Sequence, residues 1–261
     1  MHLHDPPSLP TDPASTPINI NINISNISPT DSTTLPQQSR PRSERRRHQR
    51  PLYFAYGSNL SPSQMATRCV HSPASSVPLA IARLPHWRWL ICQPGYANVL
   101  PPPEMRVGPQ TGVQDDEVPV AGAEDAVYGV LYAMDEGDER LLDGFEGVDW
   151  DAPAAVAPSP SLSVRPREQG QGDYNKWVVE AEVVQWLDSK SQDGGSGGGS
   201  GSGSSSSTVP VLVYVDELRV KLGPPKEEYI PRMNRAIRES VALGLPEKWA
   251  EEVMRPSIPL N

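Results

Sequence analysis

The chain has 261 residues, of which only 37% are hydrophobic, and proline and glycine together make up nearly a fifth of it. Segments of such composition bury too little apolar surface to offset chain entropy, so a large part of the length is expected to be tail and loop. The net charge is −9, and the residues after position 50 carry 17 basic against 28 acidic side chains. An acidic body disfavours nucleic acid or an anionic membrane as the main partner.

Residues 1–50 are predicted to be a disordered, low-complexity tail that ends in a basic run at 40–50. The run contains three consecutive arginines at 45–47, which we interpret as part of a solvated tail. A nuclear signal or the end of a transit peptide is the alternative for this run.

Two sequence features bear on location. No run of 18 apolar residues is present, so no segment is expected to span a membrane. The two cysteines, Cys69 and Cys92, follow neither metal-ligand nor redox spacing. They are interpreted as free thiols in a reducing compartment, which predicts a cytoplasmic protein.

The folded part begins near position 51 with a strand that runs into a turn, residues 53–60 (YFAYGSNL). Ser61, Pro62 and Gln64 then fit the N-cap, first-turn and capping-box positions of a helix that reaches about Cys69. The turn is therefore expected at the positive end of a helix dipole, where free N–H groups suit a carboxylate or another anion. A plain strand-turn-helix corner without a ligand is the alternative.

The remaining elements follow from hydrophobic periodicity. Strands are predicted at 79–84, 87–92, 97–100, 127–133, 177–186 and 210–215. Helices are predicted at 135–146, from about 226 to 244, and briefly after 246. Three surface insertions are predicted at about 102–123, 151–173 and 188–208. Because strands and helices do not alternate regularly, an α+β domain is favoured over a doubly wound α/β fold.

The second candidate segment is residues 143–148 (DGFEGV), at the end of a helix that Asp135 is expected to cap. Glu146 follows the acidic first turn of this helix and lies near its C-terminus, where a carboxylate is disfavoured and its pKa is pushed upward. A carboxyl group of raised pKa suits general acid–base catalysis. A solvated glutamate in a glycine-flanked turn is the alternative.

Other catalytic arrangements fit less well. Ser58 does not stand in the glycine-flanked elbow of serine hydrolases. The histidines of the folded part, His71 and His86, have no obvious acid partner nearby in sequence, and no cluster of metal-ligand residues is present. The glycine-rich run near 200 lacks the lysine and hydroxyl ending of a phosphate-binding loop.

Together these segments resemble the γ-glutamylcyclotransferase family. The matching pieces are residues 53–60, 127–132 (VYGVLY), 141–148 (LLDGFEGV) and Tyr229, which opens the helix that ends in 244–246 (GLP). The likeness covers essentially all of 51–255 apart from the insertions. Its most specific features are the first motif and that motif's order and spacing with the glutamate segment.

The resemblance implies an α+β fold with a small mixed β-barrel-like sheet of about six or seven strands and a few packed helices. It implies a single domain at 51–255, followed by a short C-terminal tail at 256–261. One γ-glutamyl group would be held in a pocket and cyclised to 5-oxoproline, which releases an amino acid and requires no cofactor or metal. Amide cleavage and ring closure would occur together.

Site residues are carried over from the matching motifs. Glu146 matches the family's catalytic acid and base. Substrate contacts, largely through backbone groups in the first motif, are implied for Tyr53, Phe54, Ala55, Tyr56, Gly57, Ser58, Asn59 and Tyr229. For Tyr229, an aromatic packed at a helix start is the alternative.

Several questions stay open at this point. A cyclotransferase that prefers γ-glutamyl-amines or glutathione is one alternative, and a non-catalytic binding module on the same fold is another. The insertion at 151–173 begins just after Glu146 and departs from the family pattern. Either Tyr174 or Trp177 could replace an aromatic that the family often has after that glutamate. The expected partner is a small γ-glutamyl molecule, and the protein could be a monomer or a homodimer.

Overall fold

A computed structural model describes residues 50–114, 118, 125–155, 163–187 and 207–260. All of them belong to one compact unit, Gln49–Asn261. The predicted tail, except for Arg50, and nearly all of the predicted third insertion lie outside the described residues. The strands are β1 (Leu52–Ala55), β2 (Pro78–Pro85), β3 (Arg88–Ile91), β4 (Ala97–Leu100), β5 (Ala126–Tyr132), β6 (Ser163–Val164), β7 (Asn175–Trp186) and β8 (Thr208–Val215).

Four α-helices occur in the described ranges: α1 (Pro62–Arg68), α2 (Glu136–Phe145), α3 (Tyr229–Ala242) and α4 (Glu247–Trp249). A 3-10 turn, Ser58–Leu60, joins β1 to α1, and a π turn, Ala250–Met254, follows α4. None of the helices in these ranges has both the length and the apolar character that a membrane span requires.

The main sheet closes into a barrel. Its strand order is β2-β5-β1-β8-β7-β6, and β2 also pairs with β7, so five strands form a ring and β6 extends it at the outside of β7. The β1–β8 pair is parallel and the other pairs are antiparallel, while β3 and β4 form a separate hairpin. The predicted α+β fold with a small mixed barrel-like sheet is therefore confirmed.

The barrel encloses the core. Every residue of β5 is buried, because this strand lies between β1 and β2 and is covered on both faces. Along β7, buried and partly exposed residues alternate in its first half, as expected for a strand with one face towards the core. Trp177, Tyr132 and Phe54 are among the largest side chains that are fully buried.

The second half of the predicted insertion at 151–173 packs against the domain. Arg165 is buried and donates from Nε and Nη2 to the carboxylate of Glu217 at 2.9 and 2.7 Å. Gln169 is also buried and contacts Asp216 at 3.0 Å. This segment is thereby attached to the end of β8 and continues directly into residue 173 and β7.

Gly129 on β5 is required by the close approach of β1. A Cβ atom added there would lie 2.6 Å from the carbonyl oxygen of Ala55 and 2.6 Å from ring carbons of Phe54. We therefore expect Gly129→Ala to lower the free energy of unfolding by about 1–3 kcal/mol, since a packed core resists an extra methyl group. Denaturant unfolding of the purified variant measures this.

Gly144→Ala is the matched control, because a Cβ atom at Gly144 in α2 would meet nothing within 4 Å. Alanine favours a helix over glycine, so this variant should gain up to about 1 kcal/mol. Equal stability of the two variants would contradict the close approach at Gly129.

Candidate active site

A cavity of about 400 Å³ opens where the turn after β1, the start of β4, the end of α2 and the start of α3 meet. Most of the residues carried over by resemblance line it. They are Tyr53, Tyr56, Gly57, Ser58, Asn59, Glu146 and Tyr229. Positions 53–59, 146 and 229 are far apart in sequence, so the closed barrel is what brings them to one cavity.

Glu146 lies directly after the end of α2, and its side chain is only 18% exposed. Its Oε1 accepts from Arg68 Nη1 at 3.0 Å and from Asn59 Nδ2 at 3.3 Å. Burial raises the pKa of this carboxyl group, and the charge and hydrogen bond of Arg68 oppose the rise only in part. The predicted direction of the pKa shift thus agrees with the structure, but desolvation is its main cause in place of the helix dipole.

Both of these hydrogen bonds reach the same oxygen. No side chain in the described part of the chain donates a hydrogen bond to Glu146 Oε2. The carboxylate is therefore oriented through one oxygen, and the other has no side-chain donor among the described residues.

Asn59 is held by the polar groups of its own turn. Its Nδ2 donates to the Tyr53 hydroxyl at 2.9 Å, and its Oδ1 accepts from Gln64 Nε2 at 2.9 Å. Gln64 Nε2 also donates to Ser58 Oγ at 2.6 Å. The backbone of Gln64 donates to Ser61 Oγ at 3.1 Å, as expected for the N-cap of α1. Gln64 Oε1 accepts from Arg232 and Arg235, and the Ser61 N–H donates to the Ser58 carbonyl, so the predicted capping box does not close.

The start of α1 is occupied by a carboxylate of the chain itself. Glu239 on α3 accepts from Ser61 Oγ at 2.6 Å and from the Ser63 backbone N–H at 3.3 Å, and it also accepts from Ser63 Oγ. The expectation that this helix start is an open seat for a ligand anion is therefore wrong. The physical preference for an anion is present, and an internal residue satisfies it.

Tyr229 contacts the turn directly. Its phenol oxygen accepts from the backbone N–H groups of Ser58 at 3.2 Å and Ala97 at 3.4 Å. Burial raises the pKa of this phenol to about 12, so it stays protonated and its hydrogen is available to an acceptor in the cavity. Gly57 allows this approach, because a Cβ atom there would lie 2.9 Å from the Tyr229 oxygen.

Two of the expected contact residues do not line the cavity. Phe54 and Ala55 are fully buried in the barrel core. Of the two aromatics left open after Glu146, Tyr174 lines the cavity and donates from its hydroxyl to the Ala97 carbonyl at 2.7 Å. Trp177 is buried and donates from Nε1 to Glu217 at 2.7 Å.

The sequence analysis did not identify the three arginines that line the cavity, Arg68, Arg219 and Arg232, and two of them contact Glu146 or the turn. Arg68 contacts Glu146, and Arg232 donates from Nη2 to Ser58 Oγ at 2.9 Å. Each lies one helical turn from a residue that touches the turn: Arg68 follows Gln64 by four positions, and Arg232 follows Tyr229 by three. Helical spacing from those two residues could have found both.

No group of three or more histidine, cysteine, aspartate or glutamate residues that could hold a metal ion occurs among the described residues. The two cysteines are unpaired and buried, and burial raises the pKa of Cys69 to about 11 and that of Cys92 to about 12. Neither thiol is set up as a nucleophile.

Comparisons with protein-family models and with curated proteins find no match to this chain. Solved structures similar to it include one described as "Gamma-glutamyl cyclotransferase", with 17% identity over 81% of this chain and 89% of that one and a TM-score of 0.44. Another is the uncharacterized protein loc79017 from Homo sapiens, with 19% identity over 80% and 88% of the two chains and a TM-score of 0.45. A third is YkqA from Bacillus subtilis, with 16% identity over 80% and 55% of the two chains and a TM-score of 0.47.

The raised pKa of Glu146 makes a prediction about stability. The folded state holds the proton of this group more tightly than the unfolded chain, in which the pKa of the glutamate is near 4.5. Stability from this group is therefore present below that value and is lost as the pH rises through the folded pKa. We expect Glu146→Gln, which stays neutral, to become more stable than wild type as the pH rises from 4 to 8.

Thermal unfolding of both proteins across this pH range measures the difference. A variant that loses stability relative to wild type with rising pH would contradict a desolvated carboxyl group at this position.

The hydrogen bonds to Tyr229 make a second prediction. Tyr229→Phe leaves two buried N–H donors without their acceptor, so we expect the free energy of unfolding to fall by about 1–3 kcal/mol. Tyr96→Phe, which removes an exposed hydroxyl that donates to Glu228, is the control and should cost less than about 1 kcal/mol. If both variants unfold at the same denaturant concentration, the Tyr229 oxygen is not the acceptor of these donors.

Proposed function

We propose that this protein is a γ-glutamylcyclotransferase that converts γ-glutamyl amino acids into 5-oxoproline and a free amino acid. The observation that carries the proposal is the buried carboxyl group of Glu146, which lines the cavity, has a raised pKa and is held through only one of its oxygens by described side chains. A single group of this kind suits a reaction that needs one proton removed and later one proton delivered. The resemblance of the motifs around it supports the same reaction.

In the proposed reaction, Glu146 Oε2 first takes a proton from the α-ammonium group of the glutamyl substrate. The resulting amine attacks its own γ-carbonyl carbon, so a ring C–N bond forms. The protonated Glu146 then delivers the proton to the departing nitrogen, and the original amide C–N bond breaks. The ring nitrogen then loses its second proton, which Glu146 passes to the released amine, so protons balance over the cycle without a cofactor. Holding the substrate curled supplies the rate advantage of an intramolecular attack.

The glutamyl group needs donors for its α-carboxylate and for the negative charge that develops on the γ-carbonyl oxygen. Ser58 N–H already donates to Tyr229, so we propose that the Tyr229 hydroxyl hydrogen takes its place as the donor to substrate. Arg232, which is fixed on Ser58 Oγ, supplies a positive charge beside it. In this assignment Tyr53, Tyr56, Gly57, Ser58 and Asn59 shape and orient the site.

Phe54 and Ala55 contribute to substrate binding only by fixing β1, since both are enclosed in the core. We further propose that the protein acts in a reducing compartment such as the cytoplasm. Its two thiols, Cys69 and Cys92, are unpaired and buried, which fits such a compartment.

The proposal is tested by incubating the purified full-length protein with γ-glutamylalanine, γ-glutamyl-lysine and glutathione and measuring 5-oxoproline. We expect 5-oxoproline from γ-glutamylalanine. A preference for γ-glutamyl-lysine or glutathione would assign the reaction to a different leaving group. If no substrate yields 5-oxoproline, a binding module without turnover becomes the better description.

Glu146→Gln tests the assigned acid–base group. We expect kcat to fall by about 100- to 10,000-fold, the usual contribution of general acid–base catalysis, with the fold retained. Glu180→Gln is the matched control, since Glu180 is exposed on β7 and does not line the cavity. Retention of wild-type kcat by Glu146→Gln would contradict the assigned role even if the wild type forms 5-oxoproline.

A further inference from the structure

Seven charged side chains line the cavity, and they differ in whether the protein itself neutralises them. The acidic ones are Glu146, Asp173 and Asp216, and the basic ones are Arg68, Arg219, Lys226 and Arg232. In a chain whose net charge is −9, an excess of cations at one cavity is a local feature that points to an anionic ligand.

Each of the three carboxylates has a cation in direct contact. Glu146 is paired with Arg68 at 3.0 Å. Arg219 is paired with Asp216 at 2.7 Å and with Asp173 at 2.6 Å. The carboxylates on the Arg219 side of the cavity are therefore poor partners for a positively charged leaving group, since their charge is already compensated.

Lys226 is different. Its Nζ donates to the Tyr96 hydroxyl at 3.1 Å and lies 4.5 Å from the centre of the Tyr96 ring. It forms no ion pair with a carboxylate anywhere in the described ranges of the chain. The Tyr96 hydroxyl in turn donates to Glu228 at 2.8 Å, so it is oriented to accept from Lys226. The ammonium group is thus positioned by an aromatic ring and still has N–H donors for a ligand.

Arg232 also lines the cavity, and it is less exposed than Lys226. Besides Ser58 Oγ, it contacts Gln64 Oε1 at 3.3 Å and Glu228 at 3.4 Å. Its charge acts on Glu146 and helps to lower the pKa of that carboxyl group against the larger effect of burial. Arg232 is therefore coupled to Glu146, whereas Lys226 is exposed to solvent.

The order of these groups matches the order of charges in a γ-glutamyl amino acid. Its α-ammonium and γ-carbonyl must both be at the buried Glu146, so the leaving group extends towards the opening. A leaving amino acid carries a second carboxylate at that end, and a leaving amine does not. Building on the proposed function, we infer that Lys226 binds the carboxylate of the leaving amino acid and makes the enzyme select γ-glutamyl amino acids over γ-glutamyl amines.

The test uses two substrates that differ only in this carboxylate, γ-glutamylalanine and γ-glutamylethylamide. We expect Lys226→Met to lower kcat/KM for γ-glutamylalanine by about 10- to 100-fold, which is the usual effect of losing a hydrogen bond to a charged group. The kcat/KM for γ-glutamylethylamide should stay unchanged. Methionine keeps the apolar stem that packs on Tyr96. Lys226→Arg should retain most of the preference, because the charge is kept.

Lys248→Met is the matched control, since Lys248 is 82% exposed on α4 and does not line the cavity. It should leave kcat/KM unchanged for both substrates. If Lys226→Met lowers kcat/KM for both substrates equally, or for neither, the inference is overturned, because Lys226 then does not bind the carboxylate of the leaving group.

Binding separates this inference from the proposed function. Calorimetry with Glu146→Gln and with the Glu146→Gln/Lys226→Met double variant measures the Kd of γ-glutamylalanine without turnover. Weaker binding of the double variant, by about 10-fold or more, supports the contact even if wild type forms no 5-oxoproline. Equal Kd values for the two proteins would overturn the contact even if the wild type is an active cyclotransferase.

Discussion

The hydrogen bond between Asn59 and Glu146 joins the two halves of the site. Asn59 belongs to the turn after β1, and Glu146 lies at the end of α2, so the contact connects segments 87 residues apart. Asn59 has its position because Gln64 and Tyr53 hold both ends of its amide. The orientation of the carboxylate therefore depends on the turn, and the turn depends on the pairing of β1 with β5 and β8 inside the closed barrel. The cost of burying this carboxyl group is offset in part by the charge of Arg68 and by the hydrogen bonds from Arg68 and Asn59.

Each carboxylate that lines the cavity is paired with a cation of the protein, whereas Lys226 has no carboxylate partner in the described ranges. Arg219 compensates Asp173 and Asp216, and Arg68 compensates one oxygen of Glu146. Glu239 fills the start of α1 in a similar way. Under the proposed function, Lys226 and Arg232 are the cations that meet the charges of the substrate. Because cations on Tyr96 and Tyr229 rings lose little freedom when a ligand binds, they are suited to recognition of carboxylates.

Much of the site could be predicted, and the failures have a common cause. Strand, turn and helix in residues 52–68 follow from local propensity, and the capping of α1 by Ser61 follows from the same local rules. The prediction of an open anion-binding site at the start of α1 was wrong, because Glu239 occupies that position. Glu239 is 176 residues away from Ser63 in sequence, and no local pattern reveals such a partner. Phe54 and Ala55 were counted as contacts because they share a motif with Tyr53 and Tyr56, but both are fully buried and neither lines the cavity.

The sequence by itself determined the class of fold, the turn after β1 and the candidacy of Glu146, because these depend on hydrophobic periodicity, turn chemistry and the position of one carboxylate beside a helix end. Only the tertiary structure decided that burial raises the pKa of Glu146, that Tyr229 contacts Ser58 through its hydroxyl, and that Lys226 has no carboxylate partner in the described part of the chain. Burial, long-range hydrogen bonds and charge pairing are properties of groups that meet in space. A linear pattern carries the residue types for them but not the distances between them.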